Sequence, residues 1–299
     1  MSHYPESELI LNSKHRVYHL DLSGEHIADD VILVGDPGRV KKISSHFSKL
    51  EFSTAHREFI THTGTYKNKR LSVISTGIGT DNIDIVMNEL DAAVNINLNT
   101  RQELDQKRQL RIFRLGTSGA LQENIPVNSI VASSFGLGLD GLMHFYDALN
   151  SINSSALCEA FETHTAWPST LPSAYAVPAS AFLSEQFKSA VFCTGITATA
   201  PGFYAPQGRE LRLKARLKNM QGLLSAFQFE GLKITNFEME TSALYGLGKL
   251  LGHECLTLCV IIANRMRNEF TKDLEGSEAH LIDTFLQQLS QLHDQTRTH

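Results

Sequence analysis

The sequence has no excess of positive charge, no Cys-x-x-Cys pair and no apolar run long enough to cross a membrane. A formal net charge of -5 argues against a nucleic-acid surface, which is normally basic. It leaves room for a small anionic substrate, because local charge can differ from net charge. The cysteines Cys158, Cys193, Cys255 and Cys259 read as free core thiols in a reducing compartment, with Cys255 and Cys259 on one face of a buried strand. The longest apolar stretch, Cys255 to Ala263, falls far short of the roughly 20 residues a membrane helix needs. Met1 to Asn12 is polar and holds no signal-peptide core. The expectation is a soluble, cytoplasmic protein with neither nucleic acid nor membrane as partner. There is also no repeat, low-complexity tract or linker. The 299 residues, 42% hydrophobic and 20% charged, are therefore expected to form one domain, 1–299.

What is present alternates between strand and helix patterns, which points to an α/β layered fold. Val31 to Val34 reads as a strand that turns at Gly35-Asp36-Pro37, with Pro37 near the start of a helix. Phe59 to Tyr66 and Leu71 to Ser75 read as strands joined at Lys67-Asn68-Lys69. Asp81 or Asn82 is a candidate cap for a helix running to about Val94. Asn97 to Gln109 is polar and reads as a surface insertion with room for a helical turn. Ser129 to Phe135, Val191 to Thr197 and Ile234 to Phe237 are further strands, and Thr241 to Leu251 is a helix. Leu281, Ile282, Phe285, Leu286, Leu289 and Leu292 recur at helical spacing, so a terminal helix over about 277–293 should pack on the sheet.

Arg114 is the most informative residue. It stands inside the β-forming run Arg111 to Leu115, just before Gly116-Thr117-Ser118-Gly119. A buried guanidinium needs a partner. The loop after it, rich in N–H groups and hydroxyls, suits an anion. From these residues alone an oxyanion site and a structural arginine–carboxylate pair both stay open. Two more buried strands end in unusual chemistry, at Gly35-Asp36-Pro37-Gly38-Arg39 and at Asn264-Arg265. Ligands of open α/β sheets sit at the carboxyl ends of strands. If these three strands are parallel neighbours, Arg39, Arg114 and Arg265 meet in one pocket, which then needs counter-charge.

In order and spacing, several motifs resemble the nucleoside phosphorylase superfamily with the hexameric-type fold. They are Gly35-Asp36-Pro37-x-Arg39, His56-Arg57-Glu58-Phe59, Ser75-Thr76-Gly77-Ile78-Gly79 and Arg114-x-Gly116-Thr117-Ser118-Gly119. Phe203-Tyr204-x-x-Gln207-x-Arg209, Glu238-Met239-Glu240 and Ile262-Ala263-Asn264-Arg265 place the chain near the branch that cleaves uridine. The resemblance spans about residues 17 to 290. It implies a three-layer αβα sandwich with a central mixed, partly barrel-like sheet. It implies a pentosyltransferase that uses inorganic phosphate as co-substrate and no cofactor. Uridine is the expected nucleoside, and deoxyuridine and thymidine are further candidates.

The resemblance also implies roles. Phosphate would be held by Gly35, Arg39, Arg114 and Thr117, with Arg57 completing the site from a neighbouring subunit. Ribose would be held by Glu240 and Met239, with His19 reaching across the same subunit interface. The base would meet Ser118, Gly119, Phe203, Gln207, Arg209 and Arg265. A glutamine amide can pair with O2 and N3–H of uracil, and an arginine can donate to O4. Chemistry would fall to Arg39, Arg114, Gln207, Arg209 and Glu240. Taken singly, Arg39 could be a solvated helix arginine, Arg57 a surface ion pair, and Glu238 and Glu240 carboxylates at a helix N-terminus. Purine-specific relatives carry a Ser-Asp pair where this chain has Asn264-Arg265, which disfavours purine nucleosides and the nucleosidases. Some relatives bind a monovalent cation near the glutamate matching Glu58, using a serine. Asn82 takes that serine's place, so no metal is expected. A non-catalytic nucleoside-binding protein on the same scaffold is the rival of a different class.

Overall fold

The computed structural model describes residues 3–292. Strand β1 (Asp30–Val34) is buried along its whole length. Its alternate side chains go to different layers. Val31 and Leu33 join one apolar cluster, and Ile32 and Val34 join another. A strand covered on both faces is what a near-continuous apolar run without period-2 alternation predicts.

Around β1 the sheet is built from β2 (Lys49–His56), β3 (Phe59–Tyr66), β4 (Lys69–Ser75), β7 (Arg111–Ala120), β8 (Ile130–Gly138), β9 (Tyr175–Pro178), β10 (Phe192–Thr199), β12 (Leu232–Glu238) and β13 (Glu254–Asn264). Two-residue strands β11 (Gln228–Phe229) and β14 (Glu269–Phe270) add edges, and β5 (Ile96–Asn97) pairs with β6 (Gln102–Glu103) apart from the main sheet. Strands β4, β1, β7 and β13 lie side by side and parallel. The sheet then closes on itself. β13 pairs with β8, β8 with β10, β10 with β12, and β12 returns to β7, making a five-stranded barrel.

Helices cover both faces. α2 (Thr80–Asn95) and α6 (Thr241–Leu250) pack through Ile83, Met87, Leu90, Leu244 and Leu247. α1 (Pro37–Ser44), α4 (Ala181–Gln186) and α7 (Leu274–Ser290) cover the other side through Val40, Ile43, Leu183, Phe285 and Leu286. α3 (Ser155–Thr165) and α5 (Met220–Ala226) cover the barrel. The expected αβα sandwich with a partly closed sheet is what forms. Among the described residues no helix is long and apolar enough to cross a membrane.

One helix start needs correction, and a hairpin and a strand went unread. The α2 cap is neither Asp81 nor Asn82: the helix starts at Thr80 behind Gly79, whose φ of 105° is open to glycine. The Asn82 side chain instead turns back to donate to the Thr76 carbonyl at 2.7 Å. The 97–109 stretch holds one helical turn, Arg101 N–H donating to the Asn97 carbonyl at 2.7 Å, within a short β5–β6 hairpin onto which His3 bridges at Gln102. Strand β2 gave no signal because none of its eight residues is buried.

Other elements hold with shifted ends. Lys67 and Asn68 both take positive φ, 44° and 66°, as a two-residue hairpin turn requires. Pro37 opens α1 behind an Asp36 cap that accepts from Gly38 N–H at 2.8 Å. The terminal helix begins three residues early, where the Asp273 side chain accepts from Gly276 N–H at 2.8 Å, and its last residue is Ser290. His293, expected near its end, lies outside the described residues.

Phe285 clamps α7 to the sheet. Its ring lies 5.1 Å from Phe113 and 5.6 Å from Phe187, fully buried. Phe285→Ala is expected to cost about 3–5 kcal/mol, the usual range for a buried aromatic. Urea unfolding measures it, and a loss well under 1 kcal/mol would mean that α7 does not depend on this contact.

Candidate active site

The parallel run of β1, β7 and β13 brings three strand ends to one side of the sheet, and a cavity of about 1030 Å³ opens there. Arg39, Arg114 and Arg265 all line it, so the three expected termini do converge. Barrel closure supplies the counter-charge. β12 pairs Phe237 with Gly119 and Asn236 with Ala120, which sets Glu238 and Glu240 beside the far end of β7; the Gly116–Gly119 segment, expected as a loop, stays in the strand because β13 and β12 pair with it.

Arg114 is buried at 5% exposure. Its guanidinium bonds Glu240 Oε2, lies 3.5 Å from Glu238 Oε2, and meets Cys259 Sγ at 3.6 Å. Of the two readings left open by the sequence, the arginine–carboxylate pair is present, and Arg114 also lines the cavity. Gly116 makes this arrangement possible, since a Cβ there would stand 2.0 Å from Arg114 Nη1 and 2.9 Å from Cys259 Sγ.

The two glutamates divide the work. Glu238 accepts from the Thr199 hydroxyl at 2.7 Å and from the N–H groups of Glu240 and Thr241, so it caps the start of α6. Glu240 accepts from Gly79 N–H at 2.8 Å and from Arg114, and it faces the cavity. Burial pushes the Glu240 carboxyl above its ordinary value of 4.5; Arg114 opposes this and Glu238 reinforces it.

Arg39 is buried as well. Nη2 donates to Glu278 Oε1 at 2.6 Å and Nη1 to the Leu115 carbonyl at 3.1 Å, while Nε has no partner among the described residues. Glu278 went unread in the sequence, where α7 was legible only for its apolar spacing.

The opposite wall differs in kind. Arg209 donates to the carbonyl of Phe203 at 2.6 Å and to Gln207 Oε1 at 2.5 Å, and its guanidinium stacks 3.7 Å from the Phe203 ring. Arg265 donates to the Gln207 carbonyl at 2.6 Å. Gln221, with its amide oxygen toward Arg265, accepts from Nε at 3.1 Å; nothing in the sequence marked it. Neither arginine forms an ion pair among the described residues. Burial lowers the Arg209 pKa, and burial with the charge of Arg209 brings Arg265 down to about 10.

Gly35, Thr117, Ser118, Gly119, Phe203, Gln207, Arg209 and Met239 also line the cavity, as expected. His19 and Arg57 do not. They belong to a separate cluster in which His19 Nδ1 meets Glu89 Oε1 at 2.6 Å, His56 Nδ1 meets the His19 carbonyl at 3.0 Å, and Arg57 lies over the Tyr18 ring. Glu58 reaches the cavity margin, where its Oε1 lies 3.4 Å from the Asn82 amide nitrogen. Asn264 is consumed by the backbone: its amide nitrogen donates to Gln122 and Ile125, and its oxygen accepts from Met266 and Arg267.

The family model described as Phosphorylase superfamily matches residues 29–291. A uridine phosphorylase of Thermococcus kodakarensis is 31% identical over 277 residues, 89% of this chain and 83% of that one. A uridine phosphorylase of Escherichia coli is 28% identical over 281 residues, 90% of this chain and 95% of that one. The crystal structure of a Trypanosoma brucei nucleoside phosphorylase, described as showing uridine phosphorylase activity, superposes with a TM-score of 0.83 at 28% identity, covering 95% of this chain and all of that one.

Gly116→Ala is expected to expel the Arg114 guanidinium from its place against Glu240 and to cost about 1–3 kcal/mol by overpacking. A crystal structure of the variant decides it. An unmoved guanidinium would refute the packing argument.

Proposed function

The chain belongs to the phosphorylase superfamily, and from its site we infer a pentosyltransferase that splits uridine with inorganic phosphate, giving uracil and ribose 1-phosphate. One observation carries the inference. Arg114 lies between the Gly116–Gly119 end of β7 and Glu240, opposite a wall of arginines whose partners are carbonyl and amide oxygens. An anion, a diol and an electron-rich ring edge each have a complementary surface there.

Phosphate is held by Gly35 N–H, Arg39, Arg114 and Thr117. Charge-assisted bonds from planar guanidinium groups suit its oxygens. Ribose lies on Met239 with its hydroxyls donating to Glu240. Because Arg114 touches both phosphate and Glu240, a single side chain sets the nucleophile against the sugar, and binding replaces entropy that the reaction would otherwise lose. Phe203 covers the base, Gln207 and Arg209 read its edge, and Ser118, Gly119 and Arg265 bound it.

Phosphate attacks the anomeric carbon on the face away from the base. The glycosidic bond stretches first and the sugar becomes oxocarbenium-like. The bond's electron pair leaves with uracil and spreads toward O2 and O4. Gln207, Arg209 and Arg265 meet that charge where it develops, which is where binding energy raises the rate. Phosphate is already an anion and needs no general base. With its amide occupied on both sides, Asn264 offers no acid to a purine.

The active site is completed by a second copy of the chain in a homo-oligomer. His19 and Arg57 lie outside the cavity of their own chain, which is what action across an interface requires. A cytoplasmic location is supported by Cys158, Cys193, Cys255 and Cys259, all free.

Release of free base from uridine, inosine and thymidine, each with and without phosphate, tests the reading. Phosphate-dependent release of uracil with inosine untouched is expected. Phosphate-independent release would make water the nucleophile and overturn the arginine assignments. A second expectation concerns pH. Glu240 must be ionised to accept both hydroxyls, and its pKa lies above 4.5. Uridine affinity, measured without phosphate so that phosphate's own titration is absent, should weaken as pH falls while still above 4.5. Affinity flat down to that value would place the hydroxyls elsewhere.

A further inference from the structure

Arg39 is the one phosphate ligand of this reading whose side chain reaches the cavity from beneath the C-terminal helix. Its guanidinium is pinned at two points. The Leu115 carbonyl of β7 holds Nη1, and Glu278 of α7 holds Nη2. Glu278 is itself buried at 6% exposure and does not line the cavity. Its second oxygen, Oε2, accepts from Lys42 Nζ at 2.9 Å. A carboxylate with both oxygens engaged by cations does not compete freely for Arg39. Arg39, Lys42 and Glu278 together keep one positive charge, so the corner stays attractive to an anion. Of the five N–H groups of Arg39, two have acceptors among the described residues, and Nε is buried without one.

We propose that Glu278 is a positioning residue for phosphate, through which the C-terminal helix holds the Arg39 guanidinium against the cavity. This rests on the phosphorolysis reading. Long arginine side chains have many rotamers, and only a fixed fork matches phosphate geometry. Without Glu278 the guanidinium keeps one anchor, the Leu115 carbonyl. It then spends its charge on several geometries rather than one. Among the described residues, Arg39 is the only residue lining the cavity that bonds Glu278. Loss of Glu278 should therefore reach phosphate and leave the ribose and base walls as they are. Because α7 also packs on the sheet through Phe285 and Leu286, helix docking and phosphate affinity are coupled through this residue.

The test is steady-state kinetics with inorganic phosphate as the varied substrate, together with uridine binding measured without phosphate. Glu278→Ala is expected to raise the KM for phosphate about tenfold, in line with the cost of a displaced positioning group, and to leave uridine affinity within about twofold. Glu278→Gln retains an oxygen that can accept from Arg39 and should recover most of the loss. If the alanine variant fails to fold, Glu278→Met removes the acceptor at similar volume and should show the same rise. A phosphate KM within about twofold of the parent in either folded variant would overturn the proposal, as would an equal weakening of phosphate and uridine. If the parent protein itself cleaves uridine without phosphate, the function reading fails and this proposal with it. Phosphate-dependent cleavage with an unmoved KM in the variants defeats only the role of Glu278.

Discussion

The buried charge of Arg114 is the constraint around which the site is organised. A guanidinium at 5% exposure cannot be left unpaired, because desolvating a lone charge costs several kcal/mol even after relaxation. Its partners, Glu238 at the end of β12 and Glu240 at the start of α6, are far away in sequence, and the return of β12 onto β7 brings them within reach. Barrel closure and charge compensation are thus one structural event. A buried ion pair is weak evidence of stability, since an apolar replacement of like volume is often neutral or better. What this pair gives is a cation fixed at a cavity wall, with its acceptor facing the same space.

The cavity is electrostatically divided. On one side Arg39 and Arg114 are balanced by Glu278, Glu238 and Glu240. On the other, Arg209 and Arg265 have carbonyl, amide and ring partners and no ion pair among the described residues, and burial lowers the pKa of both. The first pair of arginines is held in place by carboxylates and is suited to positioning a dianion. The second carries less compensated charge and is suited to receiving negative charge that appears during a reaction. A site with the same four arginines all paired to carboxylates would bind phosphate and lose the driving force at the leaving group.

Legibility in the sequence followed from how a residue's signal arises. Strands β1, β7 and β13 are apolar runs, so they were readable, and their arginine-bearing ends implied one pocket on the condition, met in the structure, that the strands are parallel neighbours. The motif glycines were readable too, and the structure supplies their reasons: Gly79 takes a φ of 105°, and Gly116 leaves room for Arg114. Strand β2 was invisible because it carries no buried residue, and its place comes from pairing with β3. The β5–β6 hairpin packs Ile96 and Leu98 against the core but is otherwise largely polar, and it looked like loop. Glu278 and Gln221 were missed for a different reason. Each acts through a side chain on a distant element, and no local pattern records a contact across 239 residues of chain.

Glu238 and Glu240 show how narrow the margin between a structural and a functional residue is. Both are buried glutamates near the start of the same helix, and both were open to the ordinary reading of a carboxylate at an N-terminus. The junction separates them. Glu238 is the last residue of β12, and its side chain meets the unpaired N–H groups of Glu240 and Thr241 that every helix start leaves. With those donors satisfied, Glu240 at the cap position has no duty to the helix, and its side chain turns to Gly79 and Arg114. One carboxylate does the work of capping so that the other is free to face the cavity. Losing the first would cost the second its orientation, because Glu240 would then be the nearest acceptor for the exposed start of α6.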